Sequence, residues 1–185
     1  MHARHPLQTL WPRLWLLSDE RNDKGLEQAL RRLPRGSGFI YRHYHLAPEA
    51  RLARFARLAR IARARGHWLI LADSALTARE WGADGVYGAP LMLGPRRAGL
   101  LMLATAHNLR EIGQAHRMGA DAILLSPVYP TRSHPGGQAL AGPGFLSLAR
   151  LAPMPVIALG GMTQRGALRL QWRHWAAIDG LSLDA

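Results

Sequence analysis

Short apolar runs alternate with amphipathic segments along most of the 185-residue chain. The apolar runs predict strands at 14–18, 38–42, 68–72, 85–87, 100–105, 122–126, 156–159 and 178–183. Apolar positions spaced for one helix face predict helices at 24–33, 48–65, 75–81, 109–118, 143–151 and 164–172. Several strands are apolar throughout, which is typical of parallel sheets covered on both faces. The pattern predicts an α/β fold, and eight units favour a (β/α)8 TIM barrel over an open sheet.

Two parts of the pattern are short for such a barrel. Residues 88–99 contain two prolines and several glycines, so the helix after the fourth strand is expected to be short or absent. After the predicted eighth strand only Asp184 and Ala185 remain, which predicts a minimal barrel lacking the final helix. We expect residues 1–11, or a second subunit of a homo-oligomer, to cover the apolar flank that this leaves. Residues 1–185 contain no linker and are expected to form a single domain.

A four-residue phrase occurs at the end of two predicted helices, as Trp-Gly-Ala-Asp at 81–84 and as Met-Gly-Ala-Asp at 118–121. Each phrase indicates a helix end, a glycine cap and an aspartate that leads into the next strand. The repetition supports recurring helix–strand units and carries no chemistry of its own.

Composition places the chain among ordinary globular proteins, with 48% hydrophobic and 19% charged residues. No stretch approaches the roughly 20 consecutive apolar residues that a membrane helix needs. Pro12 and Arg13 interrupt the apolar N-terminal run, which argues against a signal peptide. The lack of cysteine excludes a disulfide framework and cysteine-ligated zinc. These features favour a cytoplasmic protein with no membrane partner.

The formal net charge of +12 raises the question of a nucleic-acid partner. Every basic residue except Lys24 is arginine, a skew typical of compositional bias. Arginine recurs at every third position from Arg51 to Arg63, so on a helix these side chains rotate around the axis and form no single stripe. We therefore expect a solvated helix and no nucleic-acid partner, while anionic small molecules would suit the charge.

Residues 126–137 follow a predicted strand and have the composition of a phosphate-binding loop. In a barrel of this kind, active sites form at the carboxyl ends of the strands. Thr131 and Ser133 can donate hydrogen bonds to phosphate oxygens, and Arg132 and His134 can add positive charge. The loop is therefore a candidate substrate-binding segment.

Other strand ends supply a second candidate phosphate site and a candidate acid/base. Gly160 and Gly161 end the seventh strand before a helix and can offer backbone N–H groups to an anion. His107 lies just past the fifth strand, close to Thr105, where an imidazole can act as a general acid or base.

Charged residues also follow the second and third predicted strands. Asp73 is a candidate magnesium ligand, although a lone carboxylate is thin support for a metal site. Arg42 could bind a phosphate or simply neutralise Asp73.

The segments that carry these residues resemble the thiamine phosphate synthase/TenI family over about residues 14–183. The matching segments are LLSDE, LILADSALTAREWGADGVY, TAHN, SPVYPTRSH and MPVIALGGM. The last two, in that order and at that spacing, are the most specific. The resemblance implies a barrel of thiamine biosynthesis that holds a thiazole phosphate at the threonine loop and the glycine pair.

The resemblance also implies roles for individual residues. It assigns Arg42 to the diphosphate of hydroxymethylpyrimidine diphosphate and Asp73 to magnesium. It places Thr105 where the family has a serine, and Thr131 and Ser133 at the two threonines of the phosphate loop.

Four positions depart from the synthase pattern. Tyr44 and His134 stand where the family has lysines, Ala72 stands where it has asparagine, and residues 88–92 lack the second magnesium carboxylate. Neutralising a diphosphate is the main electrostatic task of such a site, so these changes weaken the expectation of synthase activity.

Three hypotheses follow from the resemblance. A TenI-like thiazole tautomerase ranks first, because it needs only phosphate binding and a general acid/base at the position of His107, without a cofactor. A synthase that joins hydroxymethylpyrimidine diphosphate to thiazole phosphate over Mg²⁺ ranks second. A non-catalytic protein that binds thiazole phosphate as a regulator ranks third.

Overall fold

The structure, a computed structural model, describes residues 11–132 and 138–181. Eight parallel strands close into a barrel in chain order, with β8 pairing with β1. The strands are β1 (Leu14–Leu17), β2 (Gly38–Tyr41), β3 (Trp68–Leu71), β4 (Gly85–Gly88), β5 (Leu101–Ala106), β6 (Ala122–Leu125), β7 (Val156–Ala158) and β8 (Trp175–Ala177). The helices are α1 (Leu26–Arg32), α2 (Pro48–Ala64), α3 (Ala75–Trp81), α4 (Leu109–Arg117), α5 (Ala141–Leu151) and α6 (Gln164–Leu170). The predicted (β/α)8 barrel is confirmed.

The predicted position of the eighth strand, 178–183, is wrong. β8 ends at Ala177, and its first residue, Trp175, pairs with Leu14 of β1 and Ala158 of β7. The two alanines of β8 have low strand propensity, whereas the later segment alternates apolar and polar residues. The need to close the barrel places the strand at Trp175–Ala177, because this segment pairs with both β1 and β7. Residues 178–181 are consequently a loop at the carboxyl end of β8.

The connections partly match the expectations. The segment after β4 contains only a short 3₁₀ helix, Pro90–Met92, as expected, and a second one follows β1 at Glu20–Gly25. The expected lack of a final helix and the covering role of residues 1–10 lie outside the described residues. No helix within 11–132 or 138–181 is long and apolar enough to cross a membrane.

The strands bury both of their faces, as their composition predicts. One set of side chains fills the barrel interior, and the alternate set packs under the helices. At the amino end of the interior the Trp15 indole lies over Gly38, where an added Cβ would be 2.0 Å from the ring. Trp11 and Trp68 pack beside Trp15, with ring centroids 6.2 and 6.3 Å away from it. These three tryptophans close the amino end of the barrel.

The repeated Gly-Ala-Asp turns form the predicted helix caps and also join neighbouring strands. Gly82 and Gly119 have φ of 70° and 76°, the left-handed conformation of a helix C-terminus. The Asp84 carboxylate accepts the Leu69 amide of β3 at 2.7 Å. The Asp121 carboxylate accepts the Met102 amide of β5 at 2.8 Å. Each turn therefore fixes the start of the preceding strand.

Candidate active site

A cavity of about 450 Å³ opens at the carboxyl ends of the strands. The predicted site residues that line it are Arg42, Thr105, His107, Thr131, Gly160 and Gly161. Asp73 is not among the lining residues. Ser133 and His134 lie outside the described residues. The structure thus brings most of the predicted site residues to one cavity.

The two predicted phosphate loops are joined to each other by backbone hydrogen bonds. The amide of Val128 donates to the Leu159 carbonyl at 2.9 Å, and the amide of Tyr129 donates to the Gly160 carbonyl at 3.0 Å. Gly161 has φ of 61°, and a Cβ on it would lie 2.5 Å from the Pro130 carbonyl oxygen. Glycine is therefore required for the loop after β6 to pack against the end of β7.

His107, which lines the cavity, is held by the carboxylate of Glu111. One carboxylate oxygen of Glu111 accepts hydrogen bonds from Nδ1 of His107 at 2.7 Å and from the His107 backbone amide at 2.9 Å. Asn108 caps α4 by accepting the Glu111 amide, and its side chain donates to the other carboxylate oxygen at 2.9 Å. Because an ionised carboxylate only accepts, Nδ1 carries a proton, and in the neutral imidazole Nε2 is then the proton acceptor.

The charge on Glu111 is stabilised by this arrangement. Burial alone would raise the pKa of Glu111, but the hydrogen bonds and charge of His107 outweigh it and lower the pKa. Within the described residues, Nε2 of His107 has no hydrogen-bond partner. The pair resembles the arrangement of a general base with an orienting carboxylate.

Arg42 pairs with Asp19, so the alternative that it neutralises Asp73 is wrong. Nη2 of Arg42 lies 2.8 Å from Asp19, which also accepts Nε of Arg21 at 2.9 Å. Nη1 of Arg21 lies 3.3 Å from Asp179, a lining residue of the cavity. Burial would raise the pKa of Asp19, but its contacts with Arg21 and then Arg42 lower it. Arg42 therefore shares its charge with a carboxylate before any ligand binds.

Asp73 belongs to a separate ion pair, neither member of which lines the cavity. Its carboxylate contacts Nη1 of Arg51 and accepts the Ser74 amide at 2.7 Å. Arg51 also donates to the carbonyls of Ala72 at 3.0 Å and Arg42 at 2.9 Å. Arg51 thus links the ends of β2 and β3 through hydrogen bonds and also forms an ion pair with the Asp73 carboxylate.

The residues near Asp73 do not fit a magnesium site. Magnesium in such enzymes is held by one or two carboxylates together with substrate phosphates. Asp73 is engaged by a guanidinium and does not line the cavity, and Ala89 and Pro90, which carry no carboxylate, follow β4. No group of three His, Asp or Glu residues in the described part of the chain could hold a metal ion.

Sequence reasoning missed several residues of this end of the barrel. Glu111 had a usable signal, because it lies four residues after His107 at a predicted helix start. Asp179 was assigned to the interior of a strand because β8 was placed too late. Tyr87 lines the cavity from β4, and burial raises its pKa to about 12, so its phenol stays protonated and can donate a hydrogen bond.

A closed parallel barrel with its polar side chains gathered at the carboxyl ends of the strands is the architecture of TIM-barrel proteins. Within that class, the profile of the family described as Thiamine monophosphate synthase matches residues 14–174. The chain belongs to this family.

Individual relatives agree with the family. The thiamine-phosphate synthase of Chloroflexus aurantiacus is 32% identical over 149 residues, which cover 77% of this chain and 68% of the relative. That of Salinibacter ruber is 33% identical over 105 residues, 51% of this chain and 45% of the relative. A thiamine phosphate pyrophosphorylase from Pyrococcus furiosus matches with a TM-score of 0.74 at 21% identity, covering 94% of this chain and 88% of its own. This last likeness supports the fold alone.

Proposed function

We propose that this barrel binds a thiazole phosphate and moves a proton on it, as a thiazole tautomerase of thiamine biosynthesis. The observation that carries the proposal is the hydrogen bond that His107 donates to Glu111, because His107 lines the same cavity as Thr131 and the glycine pair. A proton-transfer site needs such a fixed imidazole beside a subsite that holds the substrate.

The charges of the cavity suit one phosphate group. Arg132 and Thr131 line the cavity beside Gly160 and Gly161 and can donate to phosphate oxygens. A phosphate monoester carries about −1.5 to −2 charges at neutral pH. A diphosphate carries more, and Arg42 on the other side of the cavity is already paired with Asp19. The electrostatics therefore favour a monophosphate ligand.

The proton step can be completed by His107 alone. Nε2 accepts a proton from a carbon of the substrate, and Glu111 stabilises the resulting imidazolium. The imidazolium then returns the proton to another carbon of the same conjugated system, so one C–H bond breaks and one forms. This sequence uses no metal and no cofactor.

The test compares two histidine variants in an assay of thiazole carboxylate phosphate aromatisation. His107→Gln should lower kcat by about 10²-fold or more, because general acid–base catalysis contributes roughly that much. His116→Gln is the matched control, since His116 is exposed in the last turn of α4, the helix that follows His107. Wild-type turnover by His107→Gln would remove the proposed mechanism.

The second candidate function is thiamine phosphate synthase. The family and the printed names of the relatives favour it, and Arg42 lies in the cavity where the resemblance assigns a diphosphate. It predicts thiamine phosphate formation from hydroxymethylpyrimidine diphosphate and thiazole phosphate with Mg²⁺, and rescue of a synthase-deficient strain. Turnover in this assay and none in the first would replace our proposal with the synthase. Thiazole phosphate binding without turnover in either assay would indicate a non-catalytic binder.

A further inference from the structure

Arginines are concentrated at the amino end of the barrel, opposite the cavity. Each strand is preceded by at least one arginine, either in the connection that leads into it or in the last turn of the helix before that connection. In this fold all of these segments meet at one end. The arginines of this surface, here called the basic end, are Arg13, Arg31, Arg32, Arg35, Arg63, Arg65, Arg79, Arg96, Arg97, Arg117, Arg150, Arg169 and Arg173. The carboxylates of the same connections are those of Glu80, Asp84 and Asp121. The net charge of the chain is therefore located mainly at this end.

Some arginines of the basic end have structural partners. Arg35, Arg65 and Arg79 donate to backbone carbonyls, Arg63 donates to the Gly82 carbonyl, and Arg96 pairs with Asp121. The side chains of the others are exposed and make no hydrogen bond or ion pair with any residue in the described ranges. These unpaired arginines are Arg13, Arg31, Arg32, Arg97, Arg117, Arg150, Arg169 and Arg173.

Helix dipoles explain only part of this distribution. A cation in the last turn of a helix is favoured by the dipole. Arg13, Arg97 and Arg173 lie in connections outside the helices and gain nothing of that kind. Compositional bias alone would place unpaired arginines at both ends to the same degree. At the cavity end, arginines such as Arg42 and Arg51 are paired with carboxylates. Fewer arginines there, namely Arg110, Arg132 and Arg165, have side chains without a partner among the described residues.

We propose that the basic end binds the sugar-phosphate backbone of duplex DNA without sequence preference. Guanidinium groups bind phosphate oxygens with paired hydrogen bonds. The unpaired arginines precede six of the eight strands, all except β3 and β4. Such a wide distribution suits an extended polyanion better than a compact ligand. A membrane surface is disfavoured, because insertion needs exposed apolar side chains among the cations. Most large exposed apolar residues lie toward the other end: Tyr44, Leu52, Leu76, Leu91, Met92 and Leu109.

The expectation of no nucleic-acid partner rests on the compositional skew towards arginine and on the arginine spacing of one helix, α2. Along α2 the arginines are distributed around the helix axis, and several form ion pairs with carboxylates of the protein. The fold creates a different surface, because it brings together arginines that are far apart in sequence. Arg13 and Arg173, for example, come from opposite ends of the chain and flank the paired strands β1 and β8.

The test measures binding of the full chain to a fluorescent DNA duplex of about 20 base pairs. If six or more phosphates are contacted, affinity should fall roughly 10³-fold between about 50 and 200 mM salt. The triple variant Arg31→Gln, Arg97→Gln and Arg173→Gln should lower the slope of log K against log salt by up to about 3, at about 0.9 per contact.

A matched control removes the same charge from the cavity end through Lys24→Gln, Arg110→Gln and Arg165→Gln, and it should keep the wild-type slope. The corresponding Arg→Lys triple of the basic end should also keep the slope, because it retains the charge. An equal loss of affinity in both glutamine triples would overturn the proposal, and so would the absence of duplex binding at low salt. Binding to phosphatidylglycerol vesicles but not to the duplex would overturn it in favour of a membrane surface.

Discussion

His107 depends on Glu111 for both its orientation and the stability of its protonated form. Glu111→Gln keeps an oxygen that can accept Nδ1–H but removes the negative charge beside the ring. On the proposed proton transfer, kcat should fall about tenfold or more while KM stays close to the wild-type value, because the phosphate contacts are untouched. Steady-state kinetics on thiazole carboxylate phosphate measure both constants. Glu80→Gln serves as the control at an exposed position. A rise in KM as large as the fall in kcat would show that Glu111 acts on substrate binding.

His43 lies at the centre of a buried network that supports Arg42. Its Nδ1 contacts Ser18 Oγ at 2.8 Å and its Nε2 contacts Asp23 at 2.7 Å. Ser18 Oγ also accepts the Arg42 backbone amide at 2.7 Å. The Ser–His–Asp arrangement has the composition of a catalytic triad, but Ser18 is 0% exposed and cannot reach a substrate. Its role is to fix the end of β2, from which Arg42 enters the cavity.

Burial makes the network sensitive to acid. Burial lowers the pKa of His43 below its ordinary 6.5, despite the opposing effect of Asp23. Below about pH 6.5 the unfolded chain therefore takes up a proton that the folded chain resists, and the free energy of unfolding decreases as the pH falls. Thermal melts should show Tm falling between about pH 7 and 5.5.

His43→Gln should reduce the pH dependence of Tm as well as Tm itself. Part of the dependence should remain, because burial also lowers the pKa of His67. His116→Gln, at an exposed position, should leave it unchanged. An unaltered pH dependence in His43→Gln would exclude this histidine as its source.

Single residues at strand ends could be predicted from the sequence, but their partners could not. His107 and Thr131 were recognisable because their residue types follow apolar runs. The partner of Arg42 was not, because Asp19 and Asp73 both follow neighbouring strands and the choice depends on Arg51. That side chain reaches Asp73 from the first turn of α2, which no spacing along the chain reveals.

Among the elements, the Gly-Ala-Asp turns show how a repeated phrase specifies strand positions. Asp84→Ala would leave the Leu69 amide without its carboxylate partner. An unsatisfied buried polar group costs about 1–3 kcal/mol, so the free energy of unfolding should fall by about that amount. Denaturant titration measures it. Glu80→Ala, an exposed neighbour in α3, should change it by less than about 0.5 kcal/mol. Equal effects of the two variants would contradict a special role for the turn.

Element boundaries were predictable where local pattern and packing agree. α3 begins and ends where the pattern predicts, because Ser74 caps its first turn and Gly82 its last. β8 was misplaced because its identity depends on pairing with β1, a contact between the two ends of the chain. Because β8 ends at Ala177, Asp179 lies in the loop that follows it and lines the cavity.

The whole molecule separates stability from ligand binding between its two ends. Trp11, Trp15 and Trp68 close the amino end, whereas glycines and hydroxyl side chains surround the cavity at the carboxyl end. TIM barrels generally divide these roles in the same way. In this chain the closing residue Trp11 lies before β1, so a residue outside the repeating units completes the interior.

This separation makes Trp11→Ala a test of the molecule as a whole. Trp11 is 7% exposed and packs 5.2 Å from Trp68 between ring centroids. Its loss should cost about 3 kcal/mol, as truncations of buried aromatic residues do, and lower Tm by about 6–12 °C in a chain of this size. Thiazole phosphate affinity, measured by calorimetry well below Tm, should not change. Leu168→Ala, at an exposed apolar position, should alter neither quantity. A parallel loss of affinity in Trp11→Ala would show that the two ends are coupled through the barrel interior, and an unchanged Tm would show that the tryptophan cluster does not contribute to the core.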